Sequence, residues 1–271
     1  ITNSYTPQTT TVPVTKVWDD ASNQDGKRPA SITVQLYKSV AGGAESPVTG
    51  KTLTLTAADQ QDANTWSASF TGLPQFEQGQ EITYSVKEEK VNGYKTTING
   101  FTITNSYTPQ TTTVPVTKVW DDASNQDGKR PASITVHLQK SLDGQTPATV
   151  ASATITEADN WKTTFSNLPA YEAGKKITYT VTEDEVAEYT TTISGDAANG
   201  FTITNTHPTE TTTVPVTKVW DDASNQDGKR PASITVHLQK SLEGQTPATV
   251  ASATITEADN WKTTFSNLPA Y

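Results

Sequence analysis

Along most of the chain, apolar residues alternate with polar ones, the period-two signature of strands that bury one face. The first such run is Val12-x-Val14-x-Lys16-x-Trp18, and it returns as Val114 to Trp120 and Val214 to Trp220. Further runs fall around Thr52 to Thr56, Thr65 to Thr71, Glu81 to Glu89, Tyr94 to Ile98 and Phe101 to Tyr107, and Ile134-x-Val136-x-Leu138 follows in the next copy. Polar turn segments such as Asp121 to Gly128 separate the runs, and helical spacing is weak throughout. About seven short strands per hundred residues predict an all-β chain of antiparallel β-sandwiches.

Three polar residues interrupt these apolar faces. Alternation puts Lys16 on the same side as the valines and Trp18, the side expected to be buried. An isolated ammonium costs many kcal/mol to remove from water, so it must be paired, neutralised or chemically consumed. Two partners stand on equivalent inward faces: Asn105 in Phe101-x-Ile103-x-Asn105-x-Tyr107, and Glu88 in Ile82-x-Tyr84-x-Val86-x-Glu88. A second set repeats the pattern, with Lys118, Asn205 in Phe201-x-Ile203-x-Asn205-x-His207, and Glu183 in Ile177-x-Tyr179-x-Val181-x-Glu183.

Internal self-similarity overrides the domain count that length alone suggests. Lys16, Lys118 and Lys218 are spaced by roughly a hundred residues, the size of one small sandwich. The expected division is 1–8 as the last strand and linker of a preceding repeat, 9–108 and 109–208 as full repeats, and 209–271 as the N-terminal part of a third. Ile1 to Pro7 echoes Ile103 to Pro109, which leaves Asn3 without its lysine; the third unit stops before its Glu-bearing and Asn-bearing strands, which leaves Lys218 without partners. Residues 111–171 and 211–271 differ only at Asp143 against Glu243, a degree of duplication that suits a protein whose useful property is length. Pro- and Thr-rich connectors such as Thr108 to Thr113 favour short, stiff, extended linkers.

Composition mainly excludes. The chain has no cysteine, which removes disulfides, thiol nucleophiles and thiolate metal sites. A net charge of −9 argues against nucleic acid or an anionic membrane as partner, and no apolar run is long enough to cross a bilayer. Within the Asp-rich turn, Asn23, Asp25 and Gly26 fall in the register of a calcium loop, but Ala21 and Ile32 occupy ligand positions, so a helix-loop-helix calcium site is rejected. His137, His207 and His237 lack ligand spacing, so no metal site and no cofactor are expected. Trp18, Trp66, Trp120 and Trp161 read as packing residues, and no G-x-S-x-G-type motif places Ser, His and Asp for hydrolysis.

Taken together, Val14-Thr-Lys16-Val-Trp18-Asp-Asp20, Gln24-Asp-Gly26-Lys-Arg-Pro29, Tyr84-Ser-Val-Lys-Glu88-Glu-Lys-Val-Asn-Gly93-Tyr94 and Phe101-Thr-Ile-Thr-Asn105-Ser-Tyr107 resemble the B-type repeat domain of the collagen adhesin family of Gram-positive surface proteins. That resemblance covers essentially the whole chain and implies tandem reverse immunoglobulin-like (prealbumin-like) sandwiches. It also implies spontaneous Lys16–Asn105 and Lys118–Asn205 isopeptide bonds, promoted by Glu88 and Glu183. Burial would supply a neutral, nucleophilic amine, and a glutamate in its acid form would polarise the asparagine carbonyl. Each domain would then be its own substrate for a single turnover, not an enzyme in the ordinary sense. The bland alternative is a buried Lys16–Glu88 salt bridge beside a hydrogen-bonded asparagine. One departure stands out: Glu188 occupies the place of Gly93, putting that loop's shape in question. The implied role is a stalk outside the cell, on a bacterial surface and wall-anchored through a segment beyond these residues, with neighbouring repeats as partners. A repeated adhesive module binding a host matrix protein is the competing reading.

Overall fold

A computed structural model describes residues 1–271, and nearly all of its regular structure is strand. The first unit contains β1 (Thr9–Asp19), β2 (Ser31–Val40), β3 (Ser46–Thr56), β4 (Gln60–Asp62), β5 (Thr65–Pro74), β6 (Phe76–Glu77), β7 (Gln80–Glu88), β8 (Lys95–Asn99) and β9 (Thr102–Ser106). The second follows with β10 (Thr111–Asp121), β11 (Ser133–Ser141), β12 (Ala148–Thr156), β13 (Lys162–Pro169), β14 (Tyr171–Glu172), β15 (Lys175–Lys176), β16 (Thr178–Glu183), β17 (Thr190–Asp196) and β18 (Gly200–Thr206). The third has β19 (Thr211–Thr217), β20 (Ser233–Lys240), β21 (Ala248–Thr256) and β22 (Lys262–Pro269). Only single 3₁₀ turns interrupt, at Ala57–Asp59, Glu157–Asp159 and Ala223–Asn225.

In the first unit one sheet runs β4-β5-β1-β9-β8 and the other β3-β2-β7-β6. The first and last long strands, β1 and β9, lie side by side and parallel, with Lys16 opposite Ile103 and Trp18 opposite Asn105. Their overlap begins only at Thr15, so Pro13, which has no N–H to give, sits ahead of it with a single neighbour strand. In the second unit β13-β10-β18-β17 form one sheet and β12-β11-β16 the other, with β10 and β18 again parallel.

The cores follow the alternation. Val12, Val14, Trp18, Val34, Leu36, Leu55, Phe70, Val86 and Ile103 close the first core between the sheets, and Val114, Val116, Val136, Leu138, Ile155 and Ile203 close the second. Each fully buried aliphatic side chain contributes about 1.5–3 kcal/mol. Trp18 and Trp66 are buried and meet edge to face at 5.2 Å, whereas their counterparts Trp120 and Trp161 are half-buried. In the third unit the strands form only two pairs, β19 with β22 and β20 with β21. Val214 is exposed there, although Val114 at the matching place is completely buried.

Candidate functional site

The two sheets of the first sandwich bring Lys16, Glu88 and Asn105 together from three strands. Lys16 and Asn105 point inward from the adjacent parallel strands β1 and β9; two residues of register separate them, on one face of one sheet. Glu88 ends β7, opposite Val34 in the facing sheet. Lys16 and Asn105 are wholly buried, and neither the Lys16 nor the Glu88 side chain retains exposed surface.

Lys16 Nζ lies 3.3 Å from Glu88 Oε1 and 4.4 Å from the centre of the Trp18 ring. The contact is close but poorly directed, since Oε1 takes no aligned hydrogen bond. The other oxygen, Oε2, accepts the Thr96 hydroxyl at 3.2 Å. Thr96 stands across from Asn105 in the β8/β9 ladder, so the asparagine strand and its neighbour hold the carboxyl in place. The Asn105 carboxamide is buried with neither Oδ1 nor Nδ2 hydrogen bonded. Leaving such a group dry and unpaired costs about 1–3 kcal/mol, an outlay that calls for an explanation.

Burial pushes the Lys16 amine down to about 8, against the opposing pull of Glu88. A lysine so lowered is partly neutral near physiological pH and able to act as a nucleophile. The Asn105 carboxamide, with unsatisfied polar atoms, stands on the same inward face two residues along in register, and the carboxyl against the amine has its second oxygen already engaged. Amine, carboxyl and amide are the three components of an acyl transfer from nitrogen to nitrogen.

The second sandwich reproduces the arrangement. Lys118 Nζ lies 3.0 Å from Glu183 Oε1, both side chains fully buried, and 4.5 Å from the Trp120 ring centre. Glu183 Oε2 accepts the Thr191 hydroxyl at 3.1 Å, and Asn205 is wholly buried with its carboxamide unpaired. Burial again lowers the lysine, with Glu183 opposing. Lys218 is half-buried and retains only the Trp220 ring, at 4.5 Å; Asn3 is exposed and outside any strand. Thr96 and Thr191 went unnoticed in the sequence; their signal is a threonine eight residues after each glutamate, on the strand paired with the asparagine.

The Asp-rich turn is a brace of a different kind. Asp20 is buried, and Arg28 grips it with two nitrogens, at 2.6 and 2.8 Å. The Tyr94 hydroxyl and the Asn23 amide donate to the same carboxylate. Burial works to raise the Asp20 carboxyl, but the guanidinium, the amide and the hydroxyl outweigh it and hold the group below the usual carboxylate range. The oxygens a cation would need are thus taken by protein donors, and no cluster of His, Asp and Glu suited to a metal is present. Glu188 keeps the left-handed backbone of Gly93, with φ of +66° against +83°, and pairs with Lys129 at 3.0 Å, so the loop retains its shape.

A Ser–His–Asp array absent from any sequence motif does form: His137 Nδ1 is 2.7 Å from Ser152 Oγ and Nε2 is 2.8 Å from Asp184 Oδ1. It lies on an open strand face, with the Asp184 side chain 64% exposed. Hydrolytic triads work in water-excluding pockets beside oxyanion donors, and on this surface the array ties β12 to β11 and to the residue after β16.

Comparisons with known proteins place this geometry in context. The sequence model of the Cna protein B-type domain matches residues 12–106, 114–206 and 214–271. The collagen adhesin of Staphylococcus aureus is 44% identical over 99% of this chain, which spans 21% of that protein. A crystal structure of two B repeat units of the collagen binding protein of Staphylococcus aureus is 42% identical, with a TM-score of 0.62. The match covers 98% of this chain and 66% of that one.

Proposed function

Since the chain belongs to the Cna B-type domain family, we propose that its repeats are stalk segments of a bacterial cell-surface adhesin, each full repeat locked by an isopeptide bond that it forms on itself. The observation that carries the reading is the buried set Lys16, Glu88 and Asn105, with an unpaired carboxamide on the same sheet face as a lowered amine. In this mechanism Lys16 Nζ attacks Asn105 Cγ. Glu88, in its acid form, donates from Oε1 to Oδ1 while the Thr96 hydroxyl donates to Oε2 and fixes the carboxyl. The amine then gives up a proton, which Glu88 passes to the departing nitrogen; the Cγ–Nδ2 bond breaks, the Nζ–Cγ bond stands, and one ammonia is released. Fixing the three groups in a folded core replaces a bimolecular encounter with a positioned one, an advantage of several kcal/mol of barrier. Lys118, Glu183, Asn205 and Thr191 act in the same way.

The role follows from which strands are joined. Because β1 and β9 are parallel neighbours, tension on the two ends of a sandwich shears one strand along the other. A bond from Lys16 to Asn105 carries that load directly, and the strands between are bypassed. In the chain-entropy treatment used for disulfides, closing a loop of roughly ninety residues also stabilises the fold by about 4–5 kcal/mol. Such a stalk belongs outside the cell, where it holds a binding region away from the surface.

Single-molecule extension is the test of this role. The two full sandwiches should contribute no unfolding length, and Glu88→Ala should restore one extension event. Full-length unravelling of both unmodified sandwiches contradicts the stalk reading. Tight collagen binding by the repeats themselves would transfer the role to adhesion, in line with the name of the Staphylococcus aureus relative.

A further inference from the structure

Each full sandwich ends in a joint built on one buried aspartate, and the two joints differ in the side chain that faces it. In the first, Asp25 Oδ2 accepts both the Tyr107 hydroxyl and the Gln110 amide at 2.8 Å, so the turn of one sandwich holds the linker of the next. In the second, Asp127 Oδ2 accepts the Glu210 amide at 2.8 Å and faces His207 Nε2 at 3.2 Å. His207 thus stands where the first joint has Tyr107, with its side chain 9% exposed and that of Asp127 1%.

The other ring nitrogen decides the chemistry. His207 Nδ1 lies 2.8 Å from the Glu188 carbonyl oxygen, which only accepts, so Nδ1 must carry a hydrogen. A neutral ring with hydrogen on Nδ1 turns the bare lone pair of Nε2 toward the Asp127 carboxylate. Only the imidazolium donates to both partners. We propose that His207 makes the joint between the second and third units a proton-dependent clasp for the following linker, while Tyr107 makes the joint between the first and second indifferent to pH near neutrality.

The surroundings favour the charged ring. Asp127 and the Glu188 carboxylate are the acidic neighbours, Lys129 is paired with Glu188, Arg130 is paired with Asp122 on the far side of Tyr189, and Tyr189 packs against the imidazole at 5.2 Å. The Glu188 carbonyl, followed by Asp127, raises the His207 pKa above its ordinary value despite partial burial. The Glu210 amide first, with Gln126 and His207 adding, holds Asp127 below the carboxylate range, so it stays ionised. For a group raised in the folded state, the contribution is complete below its unfolded pKa and is lost as pH rises through the folded value. The clasp therefore closes in mild acid and opens toward alkaline pH, with no dependence on covalent locking.

Amide hydrogen exchange on the full chain, expressed as protection over intrinsic rates, tests this together with imidazole ¹⁵N shifts. From about pH 5.5 to about pH 8.5, Glu210 protection should fall roughly three- to tenfold as the Nε2 proton is lost, while Gln110 protection stays level. His207→Tyr should flatten the Glu210 profile, and Asp127→Asn should lower the His207 pKa. Parallel profiles at Glu210 and Gln110 in the unmodified chain, or a neutral ring that keeps its hydrogen on Nε2 with Glu210 still protected, overturn the proposal.

Discussion

At the residue scale, the chemistry is concentrated in side chains that break a rule of burial. Alternation alone put Lys16, Glu88 and Asn105 on inward faces, and the structure leaves none of their side chains exposed. Their supports were not legible, because a hydroxyl such as Thr96 contacts Glu88 only once two sheets have packed. Thr96→Val should therefore slow covalent locking of the first sandwich without abolishing it, whereas Glu88→Ala should abolish it; timed mass spectrometry after synthesis separates the two. The sequence put Asn23, Asp25 and Gly26 of this turn in a calcium-loop register that Ala21 and Ile32 ruled out, and did not announce the Asp20–Arg28 pair, since turn aspartates carry the same signal whether a metal or a guanidinium faces them. Asp20→Ala leaves a largely buried guanidinium unpaired and should cost about 3 kcal/mol in chemical denaturation. Acid reports on the same group: a carboxyl held low when folded stabilises fully above its unfolded pKa and ceases to do so as pH falls through the folded value. The unfolding midpoint of the first sandwich should drop on acidification, and Asp20→Asn should blunt the drop.

At the element scale, period two located the long strands but missed the short β14–β15 hairpin, which lacks enough residues to alternate. That hairpin matters because it touches the preceding sandwich: the Gly174 amide donates to the Gln24 carbonyl at 3.0 Å. Gly26 has φ +67°, and a Cβ there would come within 2.6 Å of Gly174 Cα. Gly26→Ala should force the first joint open while both sandwiches stay folded. Gly128, at φ +66°, meets nothing within 4 Å, so Gly128→Ala carries only the backbone strain of about 1 kcal/mol. Interdomain distances by paired spin labels check the contrast, with a shift expected for Gly26→Ala and none for Gly128→Ala. Contacts between repeats join residues far apart in sequence, which is why no local pattern announced them.

At the scale of the whole molecule, the closed second sandwich and the open third set of strands share one sequence over 111–171 and 211–271 but for Asp143 against Glu243, so differences between them reflect missing partners more than composition. Val214 and Lys218 lose the burial that Val114 and Lys118 enjoy because no strand equivalent to β18 lies beside β19. Limited trypsin digestion should cut after Lys218 well before Lys118. The claim on which the rest turns is covalent closure of both full sandwiches, and intact mass reads it most directly. The purified chain should weigh two ammonias less than its translated sequence, with one restored by Glu88→Ala and one by Glu183→Ala. An unmodified chain at its full translated mass would reduce the buried groups to ion pairs and contradict the locked stalk.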